Sequence, residues 1–268
     1  MNTTYTIITG ASQGLGKELA IECAKQGRNL ILVSLQNEGL LRLQKKLIFE
    51  YSVQVEIYET NLTIKENVIE LTNWVNSNFK IDTLINNAGI GGSMSFFKAS
   101  ETYIENIIAL NVNALVLLTK KLLKNLNQNA QAHILNIASM ASFSPMPFKT
   151  VYPASKAFVS SFSRGLNSEL KNTNISISVA YPGGMATNPE VSKRINEHSK
   201  IIRNTTVSVE KVAQICIKLM IKRKTLIIPG FINKLSWFVF KICPERLLLK
   251  LFRNGVQKEI NVKDISYV

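Results

Sequence analysis

Short apolar runs alternate with helical patterns along this chain, and the alternation limits the fold more than any other feature. Apolar and β-branched residues predict strands at residues 6–9, 30–33, 53–57, 83–85, 133–137, 175–179 and 226–228. Helical spacing predicts helices that follow residue 14, span about 38–50, 64–78, 101–126 and 208–222, and begin near residue 152. Parallel strands need such crossovers, so we predict an α/β fold, a doubly wound parallel sheet with helices on both faces.

Length and composition fit one large domain with a short extension. The chain has 268 residues, 46% of them hydrophobic, which suffices for a buried core. We assign residues 1–230 to a single domain and residues 231–268 to an amphipathic helical extension. Pro244 predicts that the extension begins as two short helices.

Three cysteines (Cys23, Cys216 and Cys243) lie far apart, and their odd number predicts neither a disulfide framework nor a metal site. The first apolar run begins by Tyr5, which leaves no room for a signal peptide. We therefore expect a reducing, cytoplasmic location.

The net charge of +14 is concentrated in one part of the chain. Residues 190–253 hold 14 basic and 4 acidic residues, and bulky apolar residues are interleaved with the basic ones. This mixture suits an anionic membrane surface or acidic ligand better than a DNA groove, so we disfavour nucleic-acid binding. A solvated basic face is the alternative.

The first strand runs directly into a glycine-rich turn and a helix. Gly10, Gly14 and Gly16 let the backbone approach a phosphate closely, and the helix N-terminus offers unpaired N–H groups. The spacing Gly-x-x-x-Gly-x-Gly differs from the usual dinucleotide fingerprint, and an ordinary tight turn has the same residues.

Tyr152 and Lys156 lie four residues apart at the start of a helix and therefore share one face. Pro153 suits the first turn of that helix. A phenol becomes a usable acid or base near neutrality if a fixed positive charge lowers its pKa, and Lys156 could supply that charge. A surface tyrosine and lysine remain the alternative for this pair alone.

Several motifs in register make the sequence resemble the short-chain dehydrogenase/reductase family over about residues 5–228. These are the glycine turn, Asn86–Gly89, Asn111, Ser139, the pair Tyr152 and Lys156, and the turn at Pro182, Gly183 and Thr187. The resemblance implies a Rossmann-like fold and a catalytic tetrad of Asn111, Ser139, Tyr152 and Lys156. It implies cofactor contacts by Thr9, Gly10, Ser12, Gln13, Gly14, Leu15, Gly16, Ser34, Leu35, Asn61, Leu62, Asn87, Ala88, Gly89, Tyr152, Lys156, Pro182, Gly183 and Thr187.

Two departures bear on the cofactor. Asn61 stands where the family usually has an aspartate, although its amide oxygen can still accept a hydrogen bond. Ser34-Leu35-Gln36 carries neither the acid typical of NAD binding nor the arginine typical of NADP binding. Because Ser34 could bond a phosphate and no carboxylate repels it there, we expect NADP, with NAD as the alternative.

The resemblance implies a reaction in which the cofactor carries a hydride between nicotinamide and a carbonyl or hydroxyl group. Tyr152 is then the acid or base, Lys156 lowers its pKa and holds the nicotinamide ribose, Ser139 bonds the substrate oxygen, and Asn111 supports a water-linked proton path. The alternative is a cofactor-binding regulator or scaffold without turnover.

The apolar residues of the chain also bear on its substrate and partners. Apolar residues near the expected site favour a lipophilic ketone, of acyl or sterol-like type; these are Phe96, Phe143, Met146, Phe148 and Met185. The long apolar helix at 101–126 predicts a homodimer or homotetramer, since its second side needs a cover. Residues 188–206 are polar, and we expect a lid there. Residues 231–253 could cap the pocket, join a dimer or rest on a membrane.

Overall fold

The computed structural model describes residues 3–184 and 207–257. The strands are β1 (Thr4–Thr9), β2 (Asn29–Ser34), β3 (Val55–Glu59), β4 (Lys80–Asn86), β5 (Ala132–Ile137), β6 (Ile175–Ala180) and β7 (Leu226–Ile227). The helices are α1 (Gly14–Lys25), α2 (Leu40–Tyr51), α3 (Lys65–Asn78), α4 (Glu101–Ile108), α5 (Leu115–Leu126), α6 (Val151–Glu169), α7 (Val209–Ile221), α8 (Phe231–Ile242) and α9 (Glu245–Gln257).

The seven strands form one parallel sheet in the order β3-β2-β1-β4-β5-β6-β7. The chain leaves β1 toward β2 on one side and later returns to place β4 on the other side. In open sheets of this kind, ligands bind at the carboxyl ends of the strands where the order reverses. The crevice between the ends of β1 and β4 is therefore the expected site.

Apolar cores lie on both faces of the sheet, as the doubly wound prediction requires. Helices α1, α2 and α7 contribute Leu19, Leu47 and Cys216 to one core. Helices α3 and α5 contribute Leu71 and Leu122 to the other. The predicted fold class is thus confirmed, and each predicted strand lies within three residues of its observed bounds.

The long helix predicted at 101–126 is interrupted by a π-helical turn, Ala109–Ala114, between α4 and α5. Asn111 lies in this turn and is buried. Such turns are rare and frequently occur at functional sites. By length and composition, the stretch Glu101–Leu126 is the one described helix that could cross a membrane, but its inner residues pack on the sheet.

The predicted division at Pro244 is also observed, since α8 ends at Ile242 and α9 begins at Glu245. Helix α8 packs against the 3₁₀ turn Met140–Phe143, which follows β5.

His133 should make the stability of the fold depend on pH. It is buried in β5 beside Ser176, and burial lowers its pKa from 6.5 to about 4. Between these values the unfolded chain binds a proton that the folded chain does not, so stability falls as the pH falls from 6.5 toward 4. The loss can reach about 3 kcal/mol.

Urea unfolding of the wild type and of His133→Gln at several pH values measures this. The variant should lose less stability over that interval. Parallel losses in both proteins would show that other groups determine the acid sensitivity.

Candidate active site

The glycine turn after β1 is packed too closely for side chains. A Cβ added to Gly16 would lie 1.9 Å from the carbonyl oxygen of Gly10, and one added to Gly10 would lie 2.9 Å from Ala88 Cα. Gly10 also has a positive φ of 64°. A turn with glycines at its closest contacts, at the start of a helix, offers the backbone surface that a pyrophosphate needs, so these residues fit a dinucleotide.

Asn87 fixes this turn to the end of β4. Its side-chain amide donates hydrogen bonds to the carbonyl oxygens of Thr9 (2.9 Å) and Gly10 (3.1 Å). In return the Thr9 hydroxyl accepts hydrogen bonds from the backbone N–H groups of Asn87 and Ala88, both at 3.0 Å. The first and fourth strands thus end in one rigid unit.

Tyr152 lies in the first turn of α6 and is hydrogen-bonded to Ser139 through its side chain. Burial raises its pKa above 10, and the Ser139 bond partly opposes this rise. One face of the ring lies against Gly91, where an added Cβ would come within 2.5 Å of the ring. The structure therefore brings the predicted acid together with its predicted hydroxyl partner.

Lys156 is buried one turn later on α6. Its ammonium group donates a 2.8 Å hydrogen bond to the carbonyl oxygen of Ile137, at the end of β5. Burial lowers its pKa to about 8. Burial of the phenol acts against the lowering of the Tyr152 pKa that is expected from this lysine.

Asn111 joins three parts of the site. Its side-chain oxygen accepts from the backbone N–H of Ile90 at 2.9 Å, and its amide donates to the carbonyl oxygen of Ile90 at 2.9 Å. The same amide donates to the Ser155 hydroxyl at 3.0 Å, and that hydroxyl donates to the carbonyl oxygen of Tyr152 at 2.7 Å. Asn111 thus holds the loop after β4 against the start of α6.

The side-chain contacts at the end of β2 differ from the prediction. Ser34 is buried and donates its hydroxyl to the carbonyl oxygen of Leu35 at 2.9 Å, so its side chain is less available to a phosphate than expected. A carboxylate does reach this region, because Glu38 accepts a 2.6 Å hydrogen bond from the hydroxyl of Ser12 in the glycine turn. The sequence prediction considered only residues 34–36 and therefore missed this acid, which lies two residues later.

Two of the remaining predicted cofactor contacts, Asn61 and Leu62, serve local structure. The side-chain oxygen of Asn61 accepts hydrogen bonds from the N–H and hydroxyl of Thr63 just before α3. Leu62 is buried in the core, which leaves its backbone as the part that could contact a ligand. Gln13 is the residue before α1, and its side chain makes no capping bond.

The turn after β6 lies under α8. The carbonyl oxygen of Pro182 accepts a 3.0 Å hydrogen bond from Met140 N–H, one residue after Ser139. A Cβ on Gly183 would lie 2.4 Å from the side-chain oxygen of Asn233 in α8. Thr187, Met185 and the predicted lid at 188–206 lie outside the described residues.

A shallow apolar cleft adjoins Tyr152. Its walls include Met94, Phe96, Tyr103, Ile107 and Phe148, so two of the predicted substrate residues, Phe96 and Phe148, lie beside the predicted acid. Phe143 lies apart from this cleft, with its ring 4.6 Å from that of Tyr181 and 6.5 Å from that of Trp237.

Sequence reasoning missed Glu38, Gly91 and Trp237. Gly91 follows the Asn86–Gly89 motif closely and could have been included with it. The contact of Trp237 with Phe143 joins α8 to the turn after β5, and local patterns carry no signal for such a distant pair.

A family model described as short chain dehydrogenase matches residues 4–199. The very-long-chain 3-oxoacyl-CoA reductase of Anas platyrhynchos is 30% identical over 187 residues, which cover 68% of this chain and 60% of the relative. The 17-beta-hydroxysteroid dehydrogenase type 3 of Homo sapiens is 31% identical over 185 residues, which cover 68% and 60%. The match thus extends over about three fifths of each relative's length.

Among solved structures, a short-chain dehydrogenase from Sphingobium yanoikuyae in complex with NADPH has a TM-score of 0.78 and 27% sequence identity. The superposition covers 97% of this chain and 97% of that one. The parallel sheet with flanking helices is therefore the arrangement of that enzyme as well.

Gly16→Ala should destabilise the protein, because the new Cβ would lie 1.9 Å from the Gly10 carbonyl oxygen and the turn would have to move. Overpacking of this kind costs about 1–3 kcal/mol. Gly165→Ala is the matched control, since its Cβ would have no neighbour within 4 Å in the interior of α6. The control should gain about 0.5–1 kcal/mol. Thermal unfolding of both variants measures the difference, and equal midpoints would contradict the packing argument.

Proposed function

This chain belongs to the short-chain dehydrogenase/reductase family, and from that premise we propose that it is an NAD(P)-dependent reductase of a lipophilic ketone. The observation that carries the proposal is the meeting of Tyr152, Ser139 and Lys156 at the carboxyl edge of the sheet, beside an apolar cleft. A buried acid, a hydroxyl partner and a buried cation are the groups that carbonyl reduction needs for its proton.

The dinucleotide would be held by the Gly10–Gly16 turn and the Asn87–Gly89 loop, with the Pro182–Gly183 turn on its nicotinamide side. When bound, it supplies the hydride. The raised pKa of Tyr152 keeps the phenol protonated at neutral pH, so it can donate a proton to the substrate oxygen. Ser139 is placed to bond the same oxygen and to stabilise the charge that develops on it.

Lys156 and Asn111 support this proton transfer. With a pKa of about 8, the buried ammonium of Lys156 is mostly charged at neutral pH and stabilises the tyrosinate that remains after donation. Asn111 positions the backbone of Tyr152 through Ser155. We assign it a positioning role together with the expected link to a water chain.

The substrate class is proposed from the cleft and from the relatives. Phe96, Phe148, Met94 and Ile107 give the cleft beside Tyr152 apolar walls. The named relatives are a very-long-chain 3-oxoacyl-CoA reductase and a hydroxysteroid dehydrogenase. Both names fit a ketone on an acyl chain or a sterol-like skeleton, as the sequence interpretation expected.

NADP is the proposed cofactor, with NAD as an accepted alternative. The NADPH complex of the similar Sphingobium enzyme supports this choice. Glu38 argues against a strong preference for NADP over NAD. Its carboxylate is hydrogen-bonded to Ser12 near the end of β2, where the adenosine ribose of a dinucleotide binds.

The assembly and location are further parts of the proposal. The outer side of α4 and of the π-helical turn after it keeps half-buried or exposed apolar residues, including Ile104, Ile108 and Val112. A second copy of the chain would cover them in a homodimer or homotetramer. We also propose that residues 1–230 form the catalytic domain, and that the cytoplasmic enzyme works at membrane surfaces where lipophilic substrates partition.

Tyr152→Phe removes only the hydroxyl, so cofactor affinity should persist while turnover falls about 10²-fold or more. Tyr58→Phe, which changes a tyrosine in β3 away from the cleft, is the control and should keep its turnover. NADPH oxidation with a panel of lipophilic ketones measures both. Near wild-type turnover in the Tyr152 variant would contradict the assignment of Tyr152 as the proton donor. Absence of turnover by the wild type would favour the non-catalytic regulator.

Glu38→Gln should tighten NADPH binding about 2- to 5-fold and leave NADH binding nearly unchanged, because one exposed carboxylate near a phosphate contributes weakly. Glu169→Gln, at the exposed C-terminal end of α6, is the control for a loss of negative charge elsewhere. Fluorescence titration of both reduced cofactors gives the two dissociation constants. An equal change for NADPH in both variants would assign the effect to net charge.

A further inference from the structure

Helix α8 presents an apolar face to solvent. Its six exposed apolar residues are Phe231, Ile232, Leu235, Phe238, Val239 and Ile242. Spacings of three, four and seven residues place them on one side of the helix. Four of them are more than half exposed: Phe231 at 80%, Ile242 at 66%, Phe238 at 55% and Leu235 at 53%. Contiguous exposed apolar surface of this kind marks an interaction site.

The opposite face of α8 is attached to the protein body. Trp237 and Phe240 pack against the core cluster that contains Tyr181, and Trp237 contacts Phe143. The side-chain amide of Asn233 donates a 2.6 Å hydrogen bond to the carbonyl oxygen of Pro229. These contacts fix the rotation of the helix, so its apolar face points outward because the other face is already in use.

Basic residues border this face. Lys234 and Lys241 lie along one edge of it by helical position, and the Lys241 ammonium is 4.1 Å from the centre of the Trp237 ring. Helix α9 adds Arg246, Lys250 and Arg253, all exposed, against Glu245 as the one acidic residue between 231 and 254. Two copies of such a surface would repel each other, whereas an anionic surface would attract it.

We propose that α8 docks this protein on an anionic lipid bilayer, with the apolar face buried among the headgroups and the basic edge toward lipid phosphates. The helix has 12 residues, too few to span the hydrocarbon core, so it lies along the interface. An apolar face combined with flanking lysine and arginine is the pattern of interfacial helices.

Docking places the membrane beside the candidate active site. The inner side of α8 bears on the Met140–Phe143 turn, which begins next to Ser139, and Asn233 bears on Gly183. A lipophilic ketone dissolved in the bilayer would thus meet the protein near its catalytic groups. The docking itself is inferred from the geometry of α8. The delivery of a ketone from the bilayer to the site rests, in addition, on the proposed function.

Vesicle flotation tests the docking. Phosphatidylcholine vesicles with and without phosphatidylserine are mixed with the whole protein at low and high salt. Wild type should float with the anionic vesicles at low salt and less at high salt, because screening weakens the attraction. Phe238→Asp should lower the partition coefficient about tenfold or more, since a large apolar contact is lost.

Phe49→Asp is the matched control. Phe49 is 89% exposed on α2, with Lys45 and Lys46 on the same helix, so it tests whether any exposed phenylalanine near lysines gives binding. This variant should float like wild type. Both substitutions are at exposed positions, and unchanged thermal midpoints verify that the fold is intact.

Failure of wild type to float at low salt, or equal flotation of wild type and Phe238→Asp, would overturn the docking. Sedimentation that shows a dimer lost in Phe238→Asp, without vesicle binding, would overturn it as well and assign the face to a second copy. Turnover of a water-soluble ketone is measured separately. Flotation without turnover would count against the proposed function alone, and turnover without flotation against the docking alone.

Discussion

The site depends on the hydrogen bonds that join the ends of β1 and β4. Asn87 bonds the carbonyl oxygens of Thr9 and Gly10, and the Thr9 hydroxyl bonds the backbone of Asn87 and Ala88. A buried amide and hydroxyl are costly to leave unpaired, so this reciprocal arrangement holds both loops in one geometry. These bonds fix the glycine turn to the loop after β4, and Asn111 in turn holds that loop against the start of α6.

A second set of polar contacts orders the strands behind the site. Asn86 donates to Asn136 at 2.8 Å and to Thr119 at 3.1 Å, and Asn136 donates to Ser163 at 2.8 Å. These bonds connect β4, α5, β5 and α6 through the core. The π-helical turn extends the same principle to Asn111, because the irregular backbone lets a polar side chain leave an apolar helix and reach Ile90 and Ser155.

The sheet could be predicted because strands and helices follow local patterns, whereas the candidate catalytic residues were assigned from several motifs that together resemble one family. Period and composition identify strands and helices, and parallel topology then brings the loops after Ile8 and Ile85 to one edge. The direction of a side chain depends on tertiary contacts instead. Spacing placed Lys156 on the same face as Tyr152, but its ammonium bonds Ile137, and burial raises the pKa of the phenol. The approach of Glu38 to Ser12 depends likewise on how the loop after β2 folds.

For the extension too, composition predicted which kinds of residue it carries, whereas their contacts depend on the tertiary structure. Basic and bulky apolar residues were evident in the sequence, and they left a cap, a subunit contact and a membrane contact equally open. Trp237 and Phe240 attach one face of α8 to the core and leave the face with Phe231, Phe238 and Ile242 outside, which is the basis of the proposed membrane contact. The helix thus contributes to the site through its polar and aromatic side, and its outward side is left for a partner of opposite charge.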